Sequence, residues 1–458
     1  MKRERPIVIV GGGIAGLTAA NFLRQHGIPF ILYEGAGKLA GLAASFKDEN
    51  GFSYDFGAHF ITNRLANAIG IGDKCQLVRY YGESVWLDGK TYKYPFGLIT
   101  VPRMSLSWVQ NRFKSLRKAS DISSAADWFR NRYGPALANE IAIPLLESWS
   151  GANAENLSPA LGEGLFGGSI AKTLFLKTAG ILTGRAVACG YNKEKPETAS
   201  VWHVYPRGGL STLCEKLAEN LWDSIKLNSP VEEILVKNGE VVGICVNGVI
   251  QEAAAVISTA PANILSKLIR GSTVLNKTRD FRYRPMVFIN LKFDGRGLLP
   301  DTVLWLPGKE FPFFRLTEAT LSMPWLAPEN KTIITADIGC EKGDYIWNMD
   351  ESELAQLCLE KISLVIPDAK KRFLGSNVLR TALAYPVFLN EYEEERQNFE
   401  RSTGIVNLLS IGRNGEFSHM FMEDVFWRTR KKVANLLANI KEADTRLNDK
   451  TFPILETL

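Results

Sequence analysis

The stretch Pro6–Gly41, PIVIVGGGIAGLTAANFLRQHGIPFILYEGAGKLAG, decides how the rest of the chain is read. Ile7 to Val10 is a short β-branched run, the pattern of a strand buried on both faces. Gly11, Gly13 and Gly16 follow as G-x-G-x-x-G, and Ala15, Leu17, Ala19, Ala20, Phe22 and Leu23 supply good helix formers with an apolar face. Phe30 to Tyr33 reads as a second strand and ends on Glu34, 21 residues beyond Gly13. Strand, glycine triplet, helix, strand and terminal acid, in that order, describe a dinucleotide-binding βαβ unit. Gly11 permits the tight turn, Gly13 lets a pyrophosphate reach bare backbone, and Gly16 lets helix and strand pack closely. The helix start then offers free N–H groups and the positive end of its dipole to the phosphates. The Glu34 carboxylate is placed to accept hydrogen bonds from ribose hydroxyls.

At 458 residues the chain is long enough for two or more domains, and 46% hydrophobic with 22% charged residues is a globular composition. A net charge of +5 is mild. It suits an anionic substrate or an anionic surface and gives no reason to expect a nucleic-acid partner. The six cysteines form no C-x-x-C pair and the four histidines are scattered, so no metal site is expected. Reduced, mostly buried thiols in a cytoplasmic protein are the expectation. The N-terminus is basic and then apolar, but the apolar run is short and is consumed by the glycine motif, which argues against a signal peptide. No apolar window is long enough to predict a spanning helix.

After Glu34 a second glycine-bearing turn runs through Gly35, Gly37 and Gly41, and Asp55-Phe56-Gly57-Ala58-His59 follows. A glycine-rich return beneath the first nucleotide site lengthens the groove beyond what NAD needs and points to a longer ligand such as FAD. Asp88-Gly89 and Asn238-Gly239 between apolar alternations predict hairpins. Helices are expected over 105–118, 124–133 and 136–149, the last interrupted by Pro144. Leu161 to Ala188 is apolar and glycine-punctuated, and this middle block reads as an inserted cap. Buried strands return at Ala254–Ser258, Met286–Phe293 and Thr332–Ile338, and a helix begins near Met422.

The chain resembles the FAD-dependent superfamily that joins amine oxidases, protoporphyrinogen oxidases, phytoene desaturases and UDP-galactopyranose mutases. The likeness spans nearly the whole length. It rests on Gly11 to Gly16, Glu34, the turn to Gly41, Asp55 to His59, Tyr205-Pro206-Arg207-Gly208-Gly209-Leu210, Val256-Ile257-Ser258-Thr259-Ala260-Pro261 and Gly412 to Asp424. It implies non-covalent FAD in a Rossmann-like domain split in the sequence, with a mixed-sheet and helical substrate domain inserted. The expected division is 1–76, 203–275 and 401–445 for the FAD domain, 77–202 and 276–400 for the substrate domain, and 446–458 as a tail. The resemblance further implies cofactor contacts from Gly11, Gly13, Ile14, Ala15, Gly16, Glu34, Gly41, Leu42, Gly57, Ala58 and His59. Later in the chain it implies contacts from Val231, Thr259, Gly412, Arg413, Glu416, Met422 and Val425.

Departures from the family pattern guide the chemistry. Ala40-Gly41 replaces the usual glycine pair, and Leu42 stands where an arginine is customary. The flavin-facing lysine of amine oxidases falls at Phe288, which counts against amine oxidation. No cysteine lies near Gly415, against a covalent flavin. Phe314-Arg315-Leu316-Thr317-Glu318, Tyr385-Pro386-Val387 and His59-Phe60-Ile61-Thr62-Asn63 resemble the mutase branch, whereas Trp149-Ser150-Gly151 and the length resemble the oxidase and desaturase branch. His59, Arg315 and Tyr385 are the residues expected at the reacting centre, with Arg315 and Arg207 as binders of an anionic substrate group. The leading expectation is dehydrogenation of a small, anionic or lipophilic metabolite by hydride transfer to the flavin. Dioxygen, a quinone or a partner reductase would then accept the electrons. A non-redox mutase using reduced FAD, and a flavin-bound protein without turnover, are the alternatives. Val101 to Lys118 and Ile170 to Ala188 mix large apolar with basic residues. The expected role is an ordinary amphipathic cover for the cap, with a seat on a membrane surface as the alternative.

Overall fold

The computed structural model describes residues 5–57, 59–115, 122–166, 170–190 and 193–449. Its centre is a five-stranded parallel sheet in the order Ile225–Lys226, Phe30–Tyr33 (β2), Ile7–Val10 (β1), Ala255–Ser258 and Leu408–Ser410. All four residues of β1 are buried, as the uninterrupted β-branched run requires. The first helix, Ile14–Gln25 (α1), lies on this sheet and packs against the helices Ser211–Ala218 and Met422–Asp449. Leu17, Phe22 and Leu23 share one core with Leu213, Leu217, Val433 and Leu436. Four stretches far apart in sequence therefore make one sheet, which is why the dinucleotide domain is discontinuous along the chain.

A seven-stranded mixed sheet forms the second body. Its order is Phe373–Pro386, Tyr283–Asp294, Lys331–Gly339, Arg315–Glu318, Val303–Trp305, Glu83–Leu87 and Lys90–Lys93. The hairpin Glu83–Lys93 turns at Asp88-Gly89 with positive φ at both residues (52° and 73°), as does Asn238-Gly239 (53° and 78°). Both predicted Asx-Gly hairpins therefore form, because these residues tolerate the left-handed region. The hairpin joins the far edge of the mixed sheet by a parallel pairing to Val303–Trp305, so the block before residue 202 contributes strands as well as helices.

The helix expected over 105–118 is Pro102–Ser115, with 116–118 outside the described residues, and the one expected over 124–133 is Ala125–Tyr133. Ser124 caps the helix Ala125–Tyr133 by accepting from the Asp127 N–H. The expected break at Pro144 does not occur. Helical turns at Pro135–Leu137 and Ile143–Ser150 are joined by a wide π turn over Ala138–Ala142, and Pro144 stands in the first turn of the α-helical segment that follows it, where proline is tolerated. Among the described residues no helix is long and apolar enough to cross a membrane.

Candidate active site

Four loops converge on the start of α1. Gly11 has φ of +100°, and a β-carbon there would lie 2.1 Å from Thr259 Oγ1, which donates to the Val10 carbonyl at 2.9 Å. A β-carbon on Gly16 would lie 1.9 Å from the Gly11 carbonyl oxygen, so helix and strand are in backbone contact. Ala40 N–H donates to Gly12 O at 3.0 Å, and a β-carbon on Gly41 would lie 3.7 Å from Gly13 Cα. Gly412, with φ of +83°, sits against Ala15, with 2.9 Å between an added β-carbon and Ala15 Cβ. Gly13 itself faces open space, its nearest neighbour for an added β-carbon being the Ala40 oxygen at 3.9 Å. It opens α1 without a side-chain cap. This is a cradle of bare N–H groups at a helix start, the geometry that takes a pyrophosphate.

Glu34 lies at one end of the cradle. Its Oε2 accepts from Gly12 N–H at 2.6 Å and its Oε1 from Ala36 N–H at 2.8 Å, which fixes the carboxylate and leaves lone pairs for ribose hydroxyls. Val231 is brought beside it. Ser229 N–H donates to Glu34 O at 2.9 Å, and Pro230 packs against Gly35. Ile14 is the first residue of α1, Gly41 lies beside Gly13, Leu42 belongs to the short turn Gly41–Ala43, and Met422 opens the C-terminal helix. Two expected contacts are directed elsewhere. The Glu416 carboxylate is buried between Arg428 at 2.6 Å and Lys432 at 2.7 Å, where two cations neutralise it. The Val425 side chain is part of the core beneath α1. Ala58 lies outside the described residues.

The far end of the groove is built by sheet register. Leu379, Phe288, Asp337, Arg315, Trp305 and Val85 are successive cross-strand partners over six strands of the mixed sheet. Phe288 is the residue set against Gly57: a β-carbon on Gly57 would lie 3.0 Å from Phe288 Cε1 and 3.3 Å from Arg315 Nη2. Gly57 has φ of +87° and no side chain, and both features are needed here. Its loop is pinned from behind. Asp55 accepts from Ser45 Oγ at 2.6 Å and Tyr205 Oη at 2.8 Å, and burial, opposed by these two bonds, pushes its carboxyl up to about 6. Gly209 in the Tyr205–Leu210 turn packs on Ser45, so two motifs distant in sequence lock together.

Arg315 pairs with Asp337, and its guanidinium lies 5.5 Å from the Trp305 ring centre. Burial opposes the Arg315 charge, but Asp337, with Tyr385 and Tyr81 beyond it, outweighs burial and raises its pKa. Arg413 stacks 5.1 Å from the ring centre of Tyr385, and Trp149 lies 5.1 Å from the same ring. Burial lowers the Arg413 pKa, and among the described residues no carboxylate pairs with it. His59 is driven down to about 3 by burial, then by Arg413 and Arg315, against a bond to the Gly57 backbone. It is therefore a neutral imidazole at physiological pH. His59 Nδ1, Arg315 Nε and Asp337 Oδ1 are buried and unpartnered among the described residues. Buried polar atoms in native proteins have partners, so a polar ring system seated at Gly57 fits this end of the groove.

Arg207 is exposed in its turn and makes no contact with this group. Asp337 and Trp305 are site residues that the sequence reading did not name, and Asp55, quoted there within its motif, was given no role. A lone acid in the apolar strand Thr332–Ile338 was the available signal, since a buried charge requires a partner.

The comparisons agree with this geometry. Residues 14–409 match the model of flavin containing amine oxidoreductases. Coproporphyrinogen III oxidase of Bacillus subtilis is 23% identical over 416 residues, covering 79% of this chain and 83% of the relative. Mitochondrial protoporphyrinogen oxidase of Nicotiana tabacum is 24% identical over 459 residues, covering 84% and 86%. The crystal structure of reduced UDP-galactopyranose mutase superposes with a TM-score of 0.75 at 18% identity, covering 95% of this chain and 96% of that one. That likeness shows a shared fold. The family implies a flavin cofactor, and the bare N–H groups at the start of α1 with the fixed Glu34 carboxylate suit its phosphate and ribose. Since the family model matches most of its length, the chain belongs to the flavin containing amine oxidoreductases.

Proposed function

We propose that the protein is a FAD-dependent oxidoreductase that dehydrogenates an anionic small molecule. FAD is held non-covalently along the groove from Glu34 through Gly13 and Gly412 to Gly57 and, when bound, supplies the redox chemistry of the reaction. The observation that carries the reading is the excess of guanidinium: Arg315 and Arg413 flank Tyr385 and His59, and among the described residues Asp337 is the one carboxylate paired with either. Arg413 is thus available to a carboxylate or phosphate, with Arg315 held charged beside it.

The chain's own residues position and shield. Phe288, Trp305, Trp149 and Leu145 form an apolar wall around the site and exclude water. His59, uncharged, orients a substrate or ring edge by hydrogen bonding and carries no proton across at neutral pH. Phe288 is the side chain set against Gly57, which counts against amine oxidation. Dioxygen, a quinone or a partner reductase is the proposed electron acceptor.

A second reading, a sugar-nucleotide mutase working on reduced FAD, is favoured by the 0.75 superposition and by the same arginines, which suit a diphosphate equally well. Anaerobic mixing of the oxidised holoprotein with candidate acids and sugar nucleotides separates the two. Bleaching of the yellow band without added reductant supports dehydrogenation. Turnover only after dithionite reduction, with no bleaching by any substrate, replaces it with the mutase.

A further inference from the structure

Asp55 is a buried carboxylate, 7% exposed, and among the described residues no cation lies within ion-pair distance of it. Lys47 and Tyr54 share its hairpin, with Asp48 paired to Lys292 beyond them. Tyr205 and Arg207 stand on the neighbouring turn, His59 follows on its own loop, and Arg315, against Gly57, is paired with Asp337. Of these titratable and charged groups, Tyr205 is the one bonded to Asp55.

The hydrogens around Asp55 follow from what each hydroxyl already does. Ser45 Oγ accepts the Leu210 N–H at 2.6 Å and gives its own hydrogen to Asp55 Oδ1 at 2.6 Å. Tyr205 Oη donates to Asp55 Oδ2 at 2.8 Å. Both carboxyl oxygens therefore accept, the pattern of the ionised form. A proton on either oxygen sets a donor against a donor, so one hydroxyl must turn and a charge-assisted bond is lost. These bonds join three segments: the strand Ser45–Lys47, the strand Ser53–Asp55 and the turn Tyr205–Leu210. The ring end of the groove follows directly. Asp55 O accepts the Gly57 N–H at 2.9 Å, and Phe56 between them meets Phe46 and Phe288 edge-on, with ring centres 5.5 and 6.2 Å apart. A shift of Asp55 is thus passed to Gly57 and to the contact it makes with Phe288.

We propose that Asp55 is the positioning residue of the flavin seat: ionised, it draws Ser45 and Tyr205 together and fixes the Gly57 loop in the shape that receives the ring, and on taking up a proton it releases that loop. The proposal rests on FAD lying in the groove and not on the reaction catalysed. Stability and cofactor binding then answer pH in opposite directions. Burial holds the Asp55 pKa up at about 6, above an unfolded value of about 4. Its contribution to apoprotein stability is therefore fully present below about pH 4 and lost as pH rises through 6, whereas the seat forms as the proton leaves.

The test is titration of the apoprotein with FAD by fluorescence quenching at about pH 5 and pH 7, beside urea denaturation without FAD, for the wild type, Asp55→Asn and Tyr205→Phe. Relative to Asp55→Asn, which cancels the other titrating groups, wild-type FAD affinity should fall about tenfold from pH 7 to pH 5 while wild-type stability rises. Tyr205→Phe removes a donor to the carboxylate and should move the onset of weakening to higher pH. A constant ratio to Asp55→Asn, an onset that Tyr205→Phe leaves unmoved, or affinity and stability falling together overturns the proposal. An apoprotein that takes up no FAD at either pH discards the cofactor reading as well, whereas uptake without this pH dependence discards the positioning role alone.

Discussion

Replacing Gly13 by alanine separates the cofactor's demands on the cradle from the protein's own. Gly13 has φ of −78° and ψ of −177°, which alanine adopts without strain, and the nearest atom to the new methyl is 3.9 Å away. The apoprotein should therefore lose at most about 1 kcal/mol, the scale of an altered helix cap. A pyrophosphate drawn onto the N–H groups at the helix start meets that methyl directly. Two charge-assisted hydrogen bonds lost, at roughly 1.5 to 3 kcal/mol each, total about 3 to 6 kcal/mol. That is about 10²- to 10⁴-fold in the dissociation constant for FAD. Gly16→Ala is the contrast. Its β-carbon would lie 1.9 Å from the Gly11 carbonyl oxygen and 3.1 Å from the carbonyl carbon, so α1 must lift from β1 and the apoprotein itself is destabilised. The assay is titration of each apoprotein with FAD by fluorescence quenching, alongside urea denaturation without FAD. Gly13→Ala should keep the apoprotein stability and lose FAD, whereas Gly16→Ala should lose both. A Gly13→Ala protein that binds FAD like the wild type would refute the placement of the pyrophosphate on this helix start.

Asp337→Asn strands the buried Arg315 guanidinium and should cost about 3 to 5 kcal/mol in urea denaturation, while Asp337→Leu with Arg315→Met recovers most of that loss. Gly57→Ala places a methyl 3.0 Å from Phe288 and 3.3 Å from Arg315 Nη2 at φ of +87°. It should cost about 1 to 2 kcal/mol of backbone strain and displace the visible absorption band of bound FAD, and an unchanged spectrum would move the ring away from Gly57. His203 is buried, and burial drives its pKa down to about 4 against a bond to the Ile61 backbone. Its folded value lies below its unfolded one, so its contribution is fully present above about pH 6.5 and is lost as pH falls toward 4, by about 3 kcal/mol in total. His203→Gln should flatten that part of the stability profile between pH 6.5 and 4, and an equally steep profile in the variant would assign the slope to other groups.

The sequence by itself determined the dinucleotide unit. Ile7 to Glu34 is local: strand, turn, helix and strand follow one another within reach, and Gly16 answers a contact with Gly11 in the same turn, whereas Gly11 answers Thr259 from a distant loop. The two Asx-Gly hairpins were legible for the same reason. Tertiary structure alone decided the other end of the groove. Phe288, Asp337 and the neighbouring strands of Trp305 and Arg315 are separated along the chain and meet because strand register aligns them, and register depends on pairing that no local spacing encodes. The direction of Glu416 was decided by Arg428 and Lys432 on a later helix, and the outward turn of Leu106 and Phe113 by Ser107 and Asn111 hydrogen-bonding inward. An amphipathic period shows that a helix has two faces, and only the packing of its neighbours selects the one that is buried.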